Sequence, residues 1–182
     1  MSVLDFLQKE ILYFDGAMGT RLQAAGLKPG ELPEVWNITH GDVVAEIHAS
    51  YVRAGANILK SNTFGANSLK MQGSGYSVED VVLAAFKNAR AAFAKVSEEQ
   101  KGTTCAVAGF TAEQKGTACA ATPEQQKDNI CTRAGAEFAD TKQDKQFVAL
   151  DLGPTGKLLA PYGDLQFEEA VALYAEQVRA GV

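Results

Sequence analysis

Apolar and polar positions follow two different periods along the chain. Three times, a short run of β-branched, aromatic or aliphatic residues leads through a glycine-bearing turn toward a stretch whose apolar residues recur every three or four positions. The short runs are typical of buried strands, and the longer spacing is typical of one face of a helix. We therefore predict three successive strand–helix units, which is an α/β fold.

The first unit is predicted to begin with a strand over residues 11–14, followed by the turn Asp15-Gly16-Ala17-Met18-Gly19-Thr20. After a loop that contains Pro and Gly, a helix is predicted over about residues 42–54. Its apolar face would consist of Val43, Val44, Ile47, Tyr51 and Ala54. Gly55 is expected to end this helix, because glycine readily adopts the left-handed conformation that terminates helices.

The second unit is predicted to have a strand over residues 57–63 and a helix whose apolar face runs from Val78 to Val96. Ser77 is the expected N-cap of that helix, since a serine hydroxyl can accept a free backbone N–H of the first turn. The third unit is predicted to have a strand over residues 147–152. Its helix should begin at about Leu165, with Asp164 as the cap.

A segment over residues 97–146 interrupts the alternation of predicted strands and helices. It is rich in Ala, Thr, Gln, Lys and Gly, and the sequence at 99–106 is nearly repeated at 113–120. With few large apolar side chains, it could bury too little surface to offset the entropy cost of ordering the chain. We therefore predict a low-complexity, mobile insertion between the second helix and the third strand.

The sequence Val-Arg-Ala-Gly occurs at 52–55, where a strand follows it, and again at 178–181, near the last residue. A further strand is therefore expected after the third helix. Strands of a parallel sheet need neighbours on both sides, and a closed eight-stranded β/α barrel takes ~250 residues. We expect residues 1–182 to be the N-terminal part of a longer barrel-type domain, interrupted at 97–146.

Charge and composition narrow the class of partners. The 182 residues contain 17 Lys and Arg against 22 Asp and Glu, a net charge of -5, which disfavours binding to nucleic acid. No apolar run approaches the ~20 residues that span a bilayer, and the N-terminus does not resemble a secretory signal. The sequence therefore predicts a cytoplasmic protein without a membrane partner.

The three cysteines, Cys105, Cys119 and Cys131, include no CxxC pair. Spacings of fourteen and twelve residues do not match a structural zinc motif. In a reducing compartment such cysteines are expected to be free thiols. No metal site is assigned to them.

The turns after the three strands hold the candidate ligand-binding residues, since loops at the carboxyl ends of parallel strands converge on one face. Asp15 is the only carboxylate that we assign to these turns, and their glycines bring backbone N–H groups close to a ligand. This chemistry suits a small zwitterion or an anion. The candidates are Asp15, Gly16, Ser61, Asn62, Thr63, Gly153, Pro154, Thr155 and Gly156.

Each candidate also has a purely structural interpretation. Asp15 would also serve as the cap of its turn, and Asn62 and Thr63 as partners for backbone groups at a strand end. Gly153-Pro154 would also suit a rigid turn. No phosphate-loop or dinucleotide-binding motif is present, because the glycine spacing of both is wrong.

Four motifs, in this order and strand context, carry a resemblance to a known family: Asp15 to Thr20, Pro33-Glu34 with Asn37, Asn62 to Ala66, and Gly153 to Gly156. They resemble the homocysteine S-methyltransferase family, and within it the homocysteine-binding N-terminal modules of cobalamin-dependent methionine synthases. The resemblance covers about residues 11–96 and 147–182. This chain has Lys60 at a position where the family commonly has an acidic or neutral residue.

The resemblance implies a partial TIM-type (β/α)8 barrel, present here as its first three βα units. It also implies a methyltransferase that transfers a methyl group to the homocysteine thiol to give methionine. It implies that Asp15 and Gly16 approach the amino-acid end of homocysteine, that residues 61–63 line the second strand end, and that residues 153–156 form part of the floor. No catalytic residue is assigned within the chain.

The resemblance further implies zinc held by three cysteines of the later barrel, beyond this chain, and methylcobalamin as the methyl donor, with cobalamin carried by further modules. Without the zinc cysteines, the activity of this chain alone is in question. The alternative is a non-catalytic module, derived from a truncated barrel, that binds a small ligand or another protein.

Overall fold

The computed structural model describes residues 3–107 and 146–181, and all structural statements below concern these residues. Several short helices come first, and from residue 41 onward helices and strands alternate along the chain. The elements are α1 Val3–Leu7, α2 Gly19–Ala24, a 3-10 helix Pro33–Val35, α3 Trp36–Thr39, α4 Gly41–Arg53, β1 Ile58–Lys60, α5 Val78–Val107, β2 Phe147–Ala149 and α6 Phe167–Gly181.

The sheet is parallel, as the alternation of strands and helices predicts. β1 and β2 pair with Ile58 opposite Phe147 and Lys60 opposite Ala149. On the other side of β1, an isolated parallel bridge joins Phe14 to Ile58. The predicted strands were too long: of residues 11–14 only Phe14 makes a bridge, and the ladder between the other two strands ends at the pair of Lys60 and Ala149.

Helix α4 confirms the predicted helix to within one residue at each end. Gly55 follows it with a φ of 105°. The Gly55 N–H donates to the Val52 carbonyl at 2.9 Å, and the Ala56 N–H donates to the Tyr51 carbonyl at 3.0 Å. These two bonds satisfy the last carbonyls of the helix, so Gly55 ends it as predicted.

Helix α5 begins as predicted and continues further. The Ser77 hydroxyl accepts the Asp80 N–H at 3.0 Å and donates to the Asp80 carboxylate at 2.7 Å, which confirms Ser77 as the cap. The helix then continues to Val107, so the first part of the segment predicted as an insertion is helical. Of the rest of that segment, residues 108–145 lie outside the described residues.

Helix α6 begins later than predicted, at Phe167, and Asp164 is not its cap. The Gln166 N–H instead donates to the Glu169 carboxylate at 3.2 Å. A glutamate three positions into a helix commonly satisfies the free N–H of the capping residue. The cap is therefore made by Gln166 and Glu169, which a search for Ser, Thr, Asp or Asn overlooks.

The core lies between β1 and helices α4 and α5. Small side chains on both helices let them approach closely, and a cluster of buried residues fills the space: Ala49, Val52, Leu59, Ala89, Ala92, Phe93 and Val96. A second cluster anchors the segment before α4 and contains Leu22, Leu27, Trp36, Val44 and Ile47. The two clusters share α4, which contributes Ala49 and Val52 to the first and Val44 and Ile47 to the second.

None of the helices in the described ranges is both long and apolar enough to cross a membrane.

Candidate functional site

A cleft of about 220 Å³ lies at the carboxyl ends of three parallel segments, which are Phe14, β1 and β2. Because the three segments are parallel, their carboxyl ends lie on the same side of the sheet. The cleft is lined by Gly16, Met18, Gly19, Pro33, Glu34, Lys60, Ser61, Asn62, Phe64 and Asp151. Three of the predicted site residues, Gly16, Ser61 and Asn62, are therefore in its lining.

The other predicted residues lie around the cleft rather than in its lining. Asp15, Thr63, Gly153 and Thr155 are buried in the surrounding protein. Pro154 and Gly156 are exposed. The Thr155 hydroxyl accepts the Lys157 N–H at 3.3 Å, so that side chain stabilises its own turn.

Two hydroxyls connect the ends of β1 and β2. Thr63 Oγ1 donates to the Asp151 carbonyl at 2.8 Å, which uses its single hydrogen. The 2.8 Å contact between Ser61 Oγ and Thr63 Oγ1 therefore has serine as the donor. The Asp151 N–H lies 3.3 Å from Ser61 Oγ and 3.2 Å from Thr63 Oγ1. This arrangement extends the contact between the strands past the last ladder pair and places Asp151 at the cleft.

Side-chain amides hold the opposite wall of the cleft. Asn62 Nδ2 donates to the Pro33 carbonyl at 2.7 Å and to Asn37 Oδ1 at 3.1 Å. Asn37 Nδ2 in turn donates to the Asn62 carbonyl at 2.8 Å. Asn88, on α5, donates to the Asn37 carbonyl at 2.9 Å. These paired amides fix the segment that carries Glu34 against the end of β1.

Glu34 and Asp151 are carboxylates that the sequence analysis did not assign to the site. Both line the cleft, and Glu34 is 5% exposed, with Oε1 accepting the Gly65 N–H at 2.7 Å. Asp15 is therefore not the only carboxylate at the strand ends. Asp151 was placed inside the predicted strand over residues 147–152. Its position two residues before Gly153 was the signal that could have identified it as a site residue. With Lys60, the lining carries two acidic side chains and one basic one.

The Asp15 carboxylate lies inside the protein, with 2% of the side chain exposed. Its Oδ1 accepts the Lys60 N–H at 3.2 Å, and the Asp15 N–H donates to the Ile58 carbonyl at 2.9 Å. Its Oδ2 lies 3.6 Å from Nδ1 of His48. Asp15 thus connects its turn to β1 and α4.

Within residues 3–107 and 146–181, no three His, Cys, Asp or Glu side chains are grouped so that they could hold a metal ion. The side chains of Cys105, Cys119 and Cys131 lie outside the described part of the chain. The described residues therefore do not fit a zinc site.

Comparison with known families gives one match over most of the chain. The family model described as "Homocysteine S-methyltransferase" matches residues 12–182.

Curated relatives match a shorter segment. The methionine synthase of Mycobacterium tuberculosis (strain ATCC 25618 / H37Rv) is 42% identical over 71 residues, which is 36% of this chain and 6% of that protein. The methionine synthase of Mycobacterium leprae (strain TN) is 39% identical over 71 residues, with the same coverage. The match thus spans a small part of each of these long relatives.

Solved structures share the fold. The metallated form of the homocysteine methyltransferase MmuM from Escherichia coli aligns with a TM-score of 0.57 and 20% identity, over 96% of this chain and 51% of that one. Its oxidized form aligns with a TM-score of 0.60 and 19% identity, over 100% of this chain and 53% of that one. The chain spans about half the length of these structures.

The mixed helix and sheet fold therefore resembles the TIM-barrel type of the homocysteine methyltransferases. Because the family model covers nearly the whole sequence, the chain belongs to the homocysteine S-methyltransferase family.

Proposed function

We propose that the cleft binds homocysteine and that the chain supplies substrate-binding strand ends for transfer of a methyl group to the homocysteine thiol. The observation that carries this proposal is the charge pattern of the cleft, where Glu34 and Asp151 lie with Lys60 in about 220 Å³. An α-amino acid carries one ammonium and one carboxylate. Two acidic groups and one basic group in a small cleft suit both ends of such a zwitterion.

In this proposal, Glu34 and Asp151 accept hydrogen bonds from the substrate ammonium, and the Lys60 ammonium pairs with the substrate carboxylate. Gly16, Ser61 and Asn62 contact the ligand from the lining. Thr63 and residues 153–156 hold the walls, and Asp15 supports the turn that carries Gly16. These roles rest on the hydrogen bonds and burial described above and on the family membership.

Methyl transfer forms a bond between the homocysteine sulfur and the methyl carbon and breaks the bond from that carbon to the donor. The thiol loses its proton, which a free thiol of pKa ~8.5 does only to a small extent at neutral pH. We propose that zinc, held by residues other than the described ones, would lower this pKa, and that methylcobalamin would be the donor, as the family resemblance implies. In this proposal the described part is the first three βα units of a TIM barrel in a cytoplasmic enzyme.

Calorimetric titration of residues 1–182 with L-homocysteine tests the binding proposal. Lys60→Met and Asp151→Asn should each weaken binding about tenfold, because each removes one charge from the cleft. Lys87→Met is the matched control, since Lys87 is exposed on α5 outside the cleft lining. Absence of binding by the unchanged chain, or equal affinities in all four proteins, would overturn the proposal.

A second titration tests which end of the substrate the chain recognises. L-norvaline has the same amino and carboxylate groups as homocysteine and a methyl group in place of the thiol. We expect it to bind about as tightly as homocysteine, because the proposed charged contacts of the described residues are all to the amino-acid end. Clearly weaker binding of L-norvaline would contradict this assignment and show that the described residues also recognise the thiol.

A further inference from the structure

His48 is a buried histidine that nothing in the proposed chemistry uses. It lies in α4 with 0% of its side chain exposed, and neither ring nitrogen has a hydrogen-bond partner among the described residues. A buried imidazole without a polar partner costs free energy, since it has lost its bonds to water. The group that lies within electrostatic range is the Asp15 carboxylate, whose Oδ2 is 3.6 Å from His48 Nδ1.

Helix α4 contacts the turn after Phe14 at two points. His48 faces Asp15, and Tyr51, three residues later on the same helix face, donates its hydroxyl hydrogen to the Ala17 carbonyl at 2.8 Å. Between these contacts lies Gly16, which lines the cleft. The helix therefore supports the backbone of the cleft wall at Gly16 through its contacts with the two neighbouring residues.

The Asp15 carboxylate also reaches the strand. Its Oδ1 accepts the N–H of Lys60, and Lys60 and Ser61 line the cleft. A carboxylate that is 2% exposed needs compensation for its lost hydration, which one long hydrogen bond supplies only in part. A hydrogen on His48 Nδ1, directed at Oδ2 over 3.6 Å, would add a favourable electrostatic interaction with the carboxylate.

We propose that His48 is a positioning residue whose Nδ1 carries a hydrogen directed at the Asp15 carboxylate, so that α4 fixes the first strand-end turn against β1. Its role in ligand binding rests on the proposed function, because the positioned groups are Gly16 and Lys60 of the cleft. His48 itself does not touch the ligand.

The spectroscopic test uses the fact that the chain has two histidines. His40 is the internal control: it is exposed, stacks on Trp36 with ring centroids 4.2 Å apart, and has Nδ1 2.8 Å from Thr39 Oγ1. In long-range 1H–15N spectra of the full chain, His48 should show a protonated Nδ1. Asp15→Asn should shift the His48 signals and leave those of His40 unchanged.

A His48 ring with a bare Nδ1 in the unchanged protein would overturn the proposal, as would His48 signals that Asp15→Asn does not move. Tyr51→Phe is a matched control, since it removes the other contact between α4 and the turn but leaves the histidine and carboxylate in place. This measurement needs no ligand. It therefore decides the inference even if homocysteine does not bind.

The binding test compares three substitutions at one position. The side-chain N–H of asparagine can occupy nearly the place of histidine Nδ1, so His48→Asn should keep homocysteine affinity within about twofold. His48→Leu and His48→Gln should each lose about tenfold, because neither places a donor at that point. Equal losses in all three variants, with unchanged urea midpoints, would show that the donor has no positioning role.

Discussion

The backbone N–H of Gly153 donates a hydrogen bond to the Phe64 carbonyl at 2.9 Å. A Cβ at Gly153 would lie 2.3 Å from that oxygen and 2.7 Å from the Phe64 ring. The turn after β2 therefore packs against the turn after β1 at a distance that only glycine allows. Because Phe64 lines the cleft, this contact affects the shape of the site as well as the packing of the two turns against each other.

Gly153→Ala should destabilise the protein by ~1–3 kcal/mol, because the added methyl group would displace the backbone at Phe64. The measurement is the urea midpoint of unfolding. Gly19→Ala is the matched control, since its Cβ would meet no atom within 4 Å and alanine favours the helix that begins there. Equal losses in the two variants would contradict the account of the turn contact.

Thr63→Val should also lower stability, by ~1–3 kcal/mol, because it leaves the Asp151 carbonyl and the Ser61 hydroxyl without their buried partner. Valine has nearly the same shape, so the loss reports on the hydroxyl rather than on packing. Thr39→Val is the control, since the Thr39 hydroxyl bonds to the Val35 carbonyl at an exposed position. A loss at Thr39 as large as the loss at Thr63 would count against the strand-joining role.

Asp15→Asn should weaken homocysteine binding by ~1–3 kcal/mol, because a neutral amide oxygen is a weaker acceptor for the Lys60 N–H and holds the turn that carries Gly16 less firmly against β1. The substitution removes the negative charge with little change in shape. Calorimetric titration measures the effect, and Asp42→Asn, on the exposed first turn of α4, is the control. Unchanged affinity in Asp15→Asn would show that the negative charge of Asp15 is not needed to hold that turn for ligand binding.

A charged network between α4 and α5 predicts a pH dependence of stability. Hydrogen bonds from Arg53 and Lys95 lower the pKa of Glu46 to about 2. The unfolded chain therefore takes up the proton at higher pH than the folded protein does. The stabilisation is complete above the usual pKa of 4.5 and is lost as the pH falls toward about 2.

The free energy of unfolding should fall between pH 5 and pH 3, and Glu46→Gln should reduce that slope. The effect should be small and should weaken in salt, because these side chains are 38–52% exposed. Urea unfolding at several pH values measures it. Glu98→Gln, at an exposed position near the network on α5, is the control and should keep the slope.

The sequence alone determined the features that depend on neighbouring residues. The apolar spacing from Val43 to Ala54 predicted α4, the hydroxyl of Ser77 predicted the start of α5, and Gly55 predicted the end of α4. The alternation of short apolar runs and helices predicted the parallel pairing of β1 and β2. The three strand-end motifs, together with Pro33-Glu34 and Asn37, predicted the family that the family model then showed.

Only the tertiary structure decided which of the polar side chains face the cleft. Asp15 is buried beside His48, which lies on a helix that the sequence places far along the chain, while Glu34 and Asp151 reach the lining. The physical reason is that a strand-end residue can direct its side chain toward a ligand or toward the protein. That choice depends on which distant hydrogen-bond donors the packed helices bring within reach, and local sequence does not encode it.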